Sequence, residues 1–249
     1  IGTGFNTGST VSSIYVQSDN QVLVGGDFIT FTGSTQRGLI RLNTDGSKDT
    51  SFDIGTGFSM STIVSRNIFS IAQQTDNKLL IGGYFFQYSG IPQGNLIRLN
   101  LNGTKDTSFD IGLGFNSSVR SVVIQPDGKI VTGGIYTQYD GVSENYAVRL
   151  NSNGFKDTSF NIGSGFNNAV RTVHYQPDTK IVIGGEFTAF TGTAQGSLIR
   201  LNSDGSKDTS FNIGTGFNST PVFGVLSVAQ YGTSLYVGGG DLIDFAKAI

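Results

Sequence analysis

Three features predict an all-β fold made of repeated four-stranded units. First, the pentamer Ile-Gly-x-Gly-Phe occurs at Ile1–Phe5, Ile54–Phe58, Ile111–Phe115, Ile162–Phe166 and Ile213–Phe217, with spacings of 53, 57, 51 and 51 residues. Second, Gly is in excess: 36 of 249 residues, against 4 Pro, about twice the ordinary share of roughly 7%. Third, no stretch sustains a helical period of apolar residues, and the density of Gly, Ser, Thr and Asn disfavours helix. A Gly excess alone would also suit a disordered chain. The 19 Phe and 9 Tyr argue against that, because they supply apolar mass that disordered chains lack.

The third copy shows the elements in order. Val119–Gln125 is β-branched and apolar and reads as the first strand. Pro126–Asp127–Gly128–Lys129 is a turn sequence. Ile130–Gly134 is the second strand, closing a hairpin, and a loop over Ile135–Asn145 leads to a third strand at Tyr146–Asn151. Asn153–Gly154 makes another tight turn, and Lys156–Phe160 is expected to return as the fourth strand. The same signals recur: Gly-Gly at Gly25, Gly82, Gly133, Gly184 and Gly238, Arg-Leu-Asn at Arg41, Arg98, Arg149 and Arg200, and Lys-Asp-Thr-Ser-Phe at Lys48, Lys105, Lys156 and Lys207.

One such sheet cannot bury both faces alone. Stacking copies radially buries them and leaves only short edges. The expectation is therefore a β-propeller of four full four-stranded blades plus one partial blade, with a β-solenoid as the rival. The units run over residues 1–53, 54–110, 111–161, 162–212 and 213–249, a single array with no second domain. The fifth copy departs from the pattern: after Gly239 it reads GDLIDFAKAI and lacks both the Arg-Leu-Asn and the Asp-Thr-Ser-Phe segments. Both ends of the sequence interrupt a unit. Three readings follow: a piece of a longer protein, which is preferred; a five-bladed closure capped by Asp241–Ile249; or a last blade completed by a neighbouring chain.

Composition excludes several functions. With no Cys there is no disulfide framework, thiol nucleophile or Cys-based metal site. No apolar run approaches the roughly 18 residues of a membrane-spanning helix, so no membrane insertion is expected. A net charge of −2 gives no whole-chain attraction to nucleic acid. No cofactor and no metal are expected. Asn43-x-Asp45-Gly46 superficially resembles a calcium loop, but its Gly comes too early and no bidentate Glu follows. A hairpin turn capped by its own side chains is the better reading. Arg41 and Asp49, eight residues apart across that turn, are expected to form a cross-strand ion pair, repeated in each copy.

The variation between copies points to one face. The spacing from Gly-Gly to Arg-Leu-Asn is constant, whereas the segment from Gly-Phe to the next first strand varies: 6, 10, 4, 4 and 8 residues. In an antiparallel unit the loops after the second and fourth strands share one side, and per-repeat insertions often mark the binding side. Residues particular to one copy on that side are the candidate ligand-binding set: Arg37, Met60, Arg66, Tyr84, Phe86, Glu144, Asn145 and Glu186. Aromatics present in every copy, such as Phe28 and Phe31 or Phe85 and Tyr88, are read as packing, holding the loop onto the next blade. The opposite face, with its short Asp-Gly and Asn-Gly turns, is read as structural.

Enzyme signals are poor. His174 is the sole His and sits where the previous copy has Val123, and no nucleophile–base order is evident. Asp27 and Glu186 follow Gly-Gly in their copies, which leaves a glycosidase-like carboxylate pair as a minor alternative.

The segment Leu201–Asn218 (LNSDGSKDTSFNIGTGFN), with Gln125–Gly134 (QPDGKIVTGG), resembles the delta-60 repeat, a β-propeller-like family of unknown function. The resemblance covers nearly the whole chain. It implies a secreted or surface-exposed bacterial protein or a phage particle protein, and it carries over no catalytic residue. The expected role is thus a non-enzymatic binding or display module on an extracellular or particle surface, recognising glycan or protein, with neighbouring copies in a larger assembly as a further expected partner. The alternative is a structural protein of a phage tail or appendage.

Overall fold

The computed structural model describes residues 4–59, 67–214, 217 and 224–240. All regular structure among them is β-strand. They fall into two compact units, residues 1–122 with 139–141, and residues 123–138 with 142–249.

In the first unit, Val11–Val16, Val22–Gly26 and Leu39–Leu42 form one antiparallel sheet, with Ile14 and Ile40 both registered on Val24. Asn67–Gln73, Leu79–Tyr84 and Leu96–Leu99 form the next, with Ile71 and Ile97 both registered on Ile81. In the second unit Ile130–Gly134 pairs with Ala147–Leu150, and Val170–Tyr175, Ile181–Gly185 and Leu198–Leu201 form a sheet. Val225–Tyr231 pairs with Ser234–Gly239 as a hairpin. The β-branched and Leu-rich middle strands are buried on both faces, as expected for strands sandwiched between stacked layers.

The fourth strand is smaller than the sequence suggests. Each Lys-Asp-Thr-Ser-Phe segment contributes a single bridging residue: Lys48 to Leu42, Lys105 to Leu99, Lys156 to Leu150 and Lys207 to Leu201. The chain then turns, because the next Asp folds its carboxylate back on the backbone. Asp49 Oδ1 accepts from the Ser51 N–H at 2.8 Å and from its hydroxyl at 2.7 Å. An Asp two residues before an N–H competes in this way with a strand ladder. The fully four-stranded blade is therefore corrected to a ladder of three strands with a capped turn at its edge.

The Gly-Gly pairs set the spacing between layers. A Cβ on Gly25 would lie 2.6 Å from Ile68 Cγ2, and one on Gly82 2.8 Å from Val122 Cγ2. On Gly133 it would lie 2.3 Å from Val170 Cγ1, and on Gly184 2.4 Å from Val225 Cγ1. The first Gly of these four pairs thus receives an apolar side chain from the first strand of the following copy. The second Gly meets backbone: a Cβ on Gly26 would lie 2.1 Å from Thr10 O. At the same place the ladder slips by one residue, for example between Val11 and Ser13 and between Val170 and Thr172.

Candidate functional site

The most elaborate polar arrangement is the Arg–Asp centre, repeated in four copies. In the second copy Arg98 Nε donates to Asp106 Oδ2 at 2.7 Å, and Nη2 donates to Ser108 Oγ at 3.1 Å. The guanidinium stacks on Phe109, 4.7 Å from the ring centroid. Arg41, Arg149 and Arg200 repeat this with Asp49, Asp157 and Asp208 and with Phe52, Phe160 and Phe211. Two of these arginines also hold the turn of the following copy: Arg41 Nη1 donates to Leu101 O at 2.7 Å, and Arg149 Nη1 to Ser203 O at 2.6 Å. The expected ion pair is present, and it ties successive copies together.

Sequence reading missed the third member of this centre. Lys78, Lys129 and Lys180, from the first hairpin turn, reach Asp106, Asp157 and Asp208 at 2.7, 2.9 and 3.6 Å. In the first copy Gln21 Nε2 takes the place at 3.0 Å from Asp49 Oδ2. Burial alone would raise the Asp49 pKa. The Ser51 hydroxyl and N–H, with Arg41, outweigh it and hold the carboxyl down at about 2. Asp208 is held at about 2, chiefly by the Ser210 hydroxyl, and Asp106 and Asp157 lie lower still. All four remain ionised at neutral pH, unsuited to proton transfer.

The recurrent aromatics are packing residues, with one correction. They close on the Gly-Phe of their own copy and not on the next blade. Phe58 lies 4.7 Å from Phe85 and 4.9 Å from Tyr88, and Phe166 lies 4.6 Å from Phe187 and 5.0 Å from Phe190. The cause is backbone pairing: Phe58 registers on Tyr88, and Phe5 and Phe166 bridge Phe31 and Phe190. These partners lie in small hairpins within the long loop, such as Thr30–Phe31 with Ser34–Thr35.

The Asn-x-Asp-Gly turns resolve as capped hairpins. Asp45 Oδ1 accepts from the Ser47 N–H at 2.9 Å and from its hydroxyl at 2.6 Å. Gly46 has φ of 81°, a left-handed position that Gly adopts without strain.

The candidate ligand residues separate into distinct groups. Tyr84 and Phe86 come together, half-buried, with ring centroids 5.6 Å apart. Phe86 N–H donates to Ser59 O at 3.1 Å, so the long loop and the segment after Gly-Phe do meet on one side. Met60 and Arg66 lie outside the described residues. Arg37 is exposed, and its carbonyl accepts from the Phe58 N–H at 3.3 Å.

The other three are tied to structural partners. Glu144 is buried and pairs with Lys156. It replaces the Gln of the other copies, where Gln36, Gln93 and Gln195 donate to Leu39 O, Leu96 O and Leu198 O. Asn145 Nδ2 donates to Ser164 O at 2.9 Å. Glu186 accepts from Arg171 Nε at 2.8 Å and Nη2 at 2.5 Å. Asp27 Oδ1 accepts the Thr10 N–H at 2.5 Å. His174 is half-buried, with Nε2 3.2 Å from Gln230 Oε1.

On the turn side, read from sequence as structural, the second unit holds a cleft of about 550 Å³. Gln125, Lys129, Arg149, Tyr175 and Ser203 line it. A signal existed: Tyr175 stands where the other copies have Val16, Gln73, Ile124 and Gln230.

Four segments of the sequence, residues 17–52, 74–109, 125–160 and 176–211, match a family described as a beta-propeller domain of unknown function, DUF5122. Together they make up more than half of the chain. No curated protein matches it. Among solved structures, it is similar to the extracellular domain of BT4673 from B. thetaiotaomicron. Two structures of that domain are described as belonging to a one component system and to a hybrid two component system. The TM-scores are 0.59 and 0.58, with identities of 16% and 17%. The similarity covers 96% and 95% of this chain and 26% of each of those chains, so this chain spans about a quarter of their length.

Proposed function

The chain belongs to the DUF5122 beta-propeller family, and on that premise we propose that it is a non-enzymatic binding module of an extracellular or particle surface. It recognises glycan or protein through the loops that follow the second strand and Gly-Phe. One observation carries this reading. The residues common to all copies are engaged in contacts within the fold, whereas Tyr84 and Phe86 form a half-buried ring pair peculiar to the second copy. The matching positions elsewhere are Asp27 and Ile29, Ile135 and Thr137, and Glu186 and Thr188. An edge-to-face aromatic pair beside Ser59 suits sugar rings or an apolar side chain of a protein. An extracellular setting is supported by the extracellular domains that share the fold.

The test is a glycan array, with a panel of surface proteins, probed with the 249-residue chain and two variants. Loss of binding in Tyr84→Ala/Phe86→Ala, with binding kept in Tyr175→Ala on the turn side, is the expected result. Binding that survives the double variant and fails with Tyr175→Ala would move the site to the other face. The absence of any ligand would overturn the reading.

A further inference from the structure

The turn-side cleft of the second unit, about 550 Å³, has the volume of a small-ligand site, roughly 300–1,000 Å³. Two adjacent copies build it. Gln125, Lys129 and Arg149 come from the third copy, and Tyr175, Thr179 and Ser203 from the fourth. Gln125 is buried, 6% exposed. Its Oε1 accepts from Arg149 Nη1 at 3.5 Å, whereas its Nε2 has no acceptor among the described residues and opens on the cleft. In the fourth copy the same amide is engaged: Gln176 Nε2 donates to Gln230 Oε1 at 3.3 Å. Gln230 holds in the fifth copy the position that Tyr175 holds in the fourth. Tyr at that position removes the acceptor from Gln125 and puts a half-buried ring in its place.

The rest of the lining has hydrogen-bonding capacity left over. The Tyr175 hydroxyl makes no hydrogen bond among the described residues. Asp127 Oδ1 accepts from the Lys129 N–H at 3.1 Å, and Asp204 Oδ1 from the Ser206 N–H at 2.9 Å. The second oxygen of each carboxylate has no hydrogen-bond donor among the described residues. The two cations, by contrast, are neutralised: Lys129 and Arg149 both bind Asp157, at 2.9 and 2.7 Å. Thr179 adopts φ of 70° at the rim, where other copies place Asn20, Asn77 or Gly128. A β-branched residue in the left-handed region is strained, and such strain gathers at ligand sites.

We propose that this cleft is a separate binding site for a short neutral saccharide. The Tyr175 ring suits the apolar face of a sugar. Gln125 Nε2 donates to a ring hydroxyl, the Tyr175 hydroxyl donates or accepts, and the second oxygens of Asp127 and Asp204 accept from others. An anion is disfavoured, because Asp157 already neutralises both cations and the free acceptors are carboxylates. The rim residues Asp127, Thr179 and Ser203 are exposed, so binding is weak, with Kd on the order of 1 mM. Complexes of that strength dissociate within a wash, so the cleft is silent on an array. It stands or falls apart from the loop-side site, since neither Tyr84 nor Phe86 lines it.

Chemical-shift titration of the isotopically labelled 249-residue chain tests it, with free maltotriose, cellotriose and chitotriose as probes and inorganic phosphate as the anionic comparison. The main variant is Tyr175→Gln, because Gln73 and Gln230 already hold that position in other copies, and circular dichroism reports whether it folds. At least one sugar should bind the wild-type chain, shifting the amides of residues 125–129 and 175. Tyr175→Gln should weaken that binding about tenfold or more. Tyr175→Phe, which keeps the ring, should stay within about threefold, and Tyr84→Ala/Phe86→Ala should leave it unchanged. No binding of any of the three sugars at about 100 mM overturns the proposal. So do shifts centred on Tyr84 and Phe86, phosphate binding tighter than every sugar, or a sugar affinity that a folded Tyr175→Gln variant leaves unchanged.

Discussion

Arg98 Nε and Asp106 Oδ2 lie 2.7 Å apart, with the guanidinium stacked on Phe109 and the carboxylate also bound by Lys78 and Ser108. This centre joins both hairpin turns of one copy and is repeated in every full copy. Its oxygen acceptors and N–H donors are almost wholly satisfied inside the fold. That is the arrangement in which a buried ion pair holds a geometry, and in which loss of one member costs far more than the pair contributes.

The first prediction follows from that asymmetry. Asp106→Ala removes the carboxylate that Arg98 and Lys78 share and leaves an apolar methyl between them. It should destabilise the chain by about 3–5 kcal/mol. Arg98→Met/Asp106→Leu should cost less than the single change, because no charge of the pair is stranded. Urea unfolding monitored by circular dichroism would separate the two outcomes.

The second concerns acid. Asp49 and Asp208 titrate at about 2 in the folded chain, against an ordinary value of 3.8. Asp106 and Asp157 are depressed further. A depressed folded pKa means that protons bind the unfolded chain more readily. The associated stability is complete above about pH 4 and falls away as pH drops towards 2 and below. Urea midpoints measured at steps through that window should fall steadily. Asp49→Asn should lower stability at neutral pH and give a shallower decline, since its amide does not titrate.

The third uses the Gly-Gly pairs. Gly133→Ala places a carbon 2.3 Å from Val170 Cγ1 within a packed layer, and should cost about 1–3 kcal/mol by overpacking. Gly238→Ala meets nothing within 4 Å among the described residues and should change stability by less than about 0.5 kcal/mol. Equal losses at both positions would show that layer spacing does not explain these glycines.

Much of the architecture was legible because repetition makes each copy a control for the others. The strands at Val119, Ile130 and Ala147 begin within a residue of their expected places. The Arg41–Asp49 pair followed from an offset of eight across a turn. The fourth strand was overread, since nothing in Lys-Asp-Thr-Ser-Phe announces that Asp49 would cap Ser51 in place of extending a ladder. Lys78 was missed at Asp106 because the two lie 28 residues apart and meet only once both hairpins have folded. The site was less legible for a related reason. Variation between copies marks any departure from the repeat, whether it serves a ligand or restores a local contact. Glu186 departs from Asp27 and is held by Arg171. Tyr84 and Phe86 depart together and touch each other.

Glu144 tests that distinction. It was singled out as particular to its copy, yet it occupies the place of Gln36, Gln93 and Gln195, whose Nε2 atoms donate to a carbonyl three residues on. Lys207 Nζ donates to Gln195 Oε1 at 2.6 Å, so a Gln there also accepts from the following lysine. Glu144→Gln should therefore keep a bond from Lys156 and gain one to Ala147 O. What it gives up is an ion pair with a lysine side chain that is 40% exposed, of the kind that contributes little. Stability should stay within about 0.5 kcal/mol of the wild type, and Glu144→Ala should lose about 1–3 kcal/mol by leaving buried polar groups without a partner. Ligand binding should be unchanged in Glu144→Gln. A variant that unfolds at the same urea concentration as the wild type but no longer binds would return Glu144 to the recognition surface, with its charge as the reason.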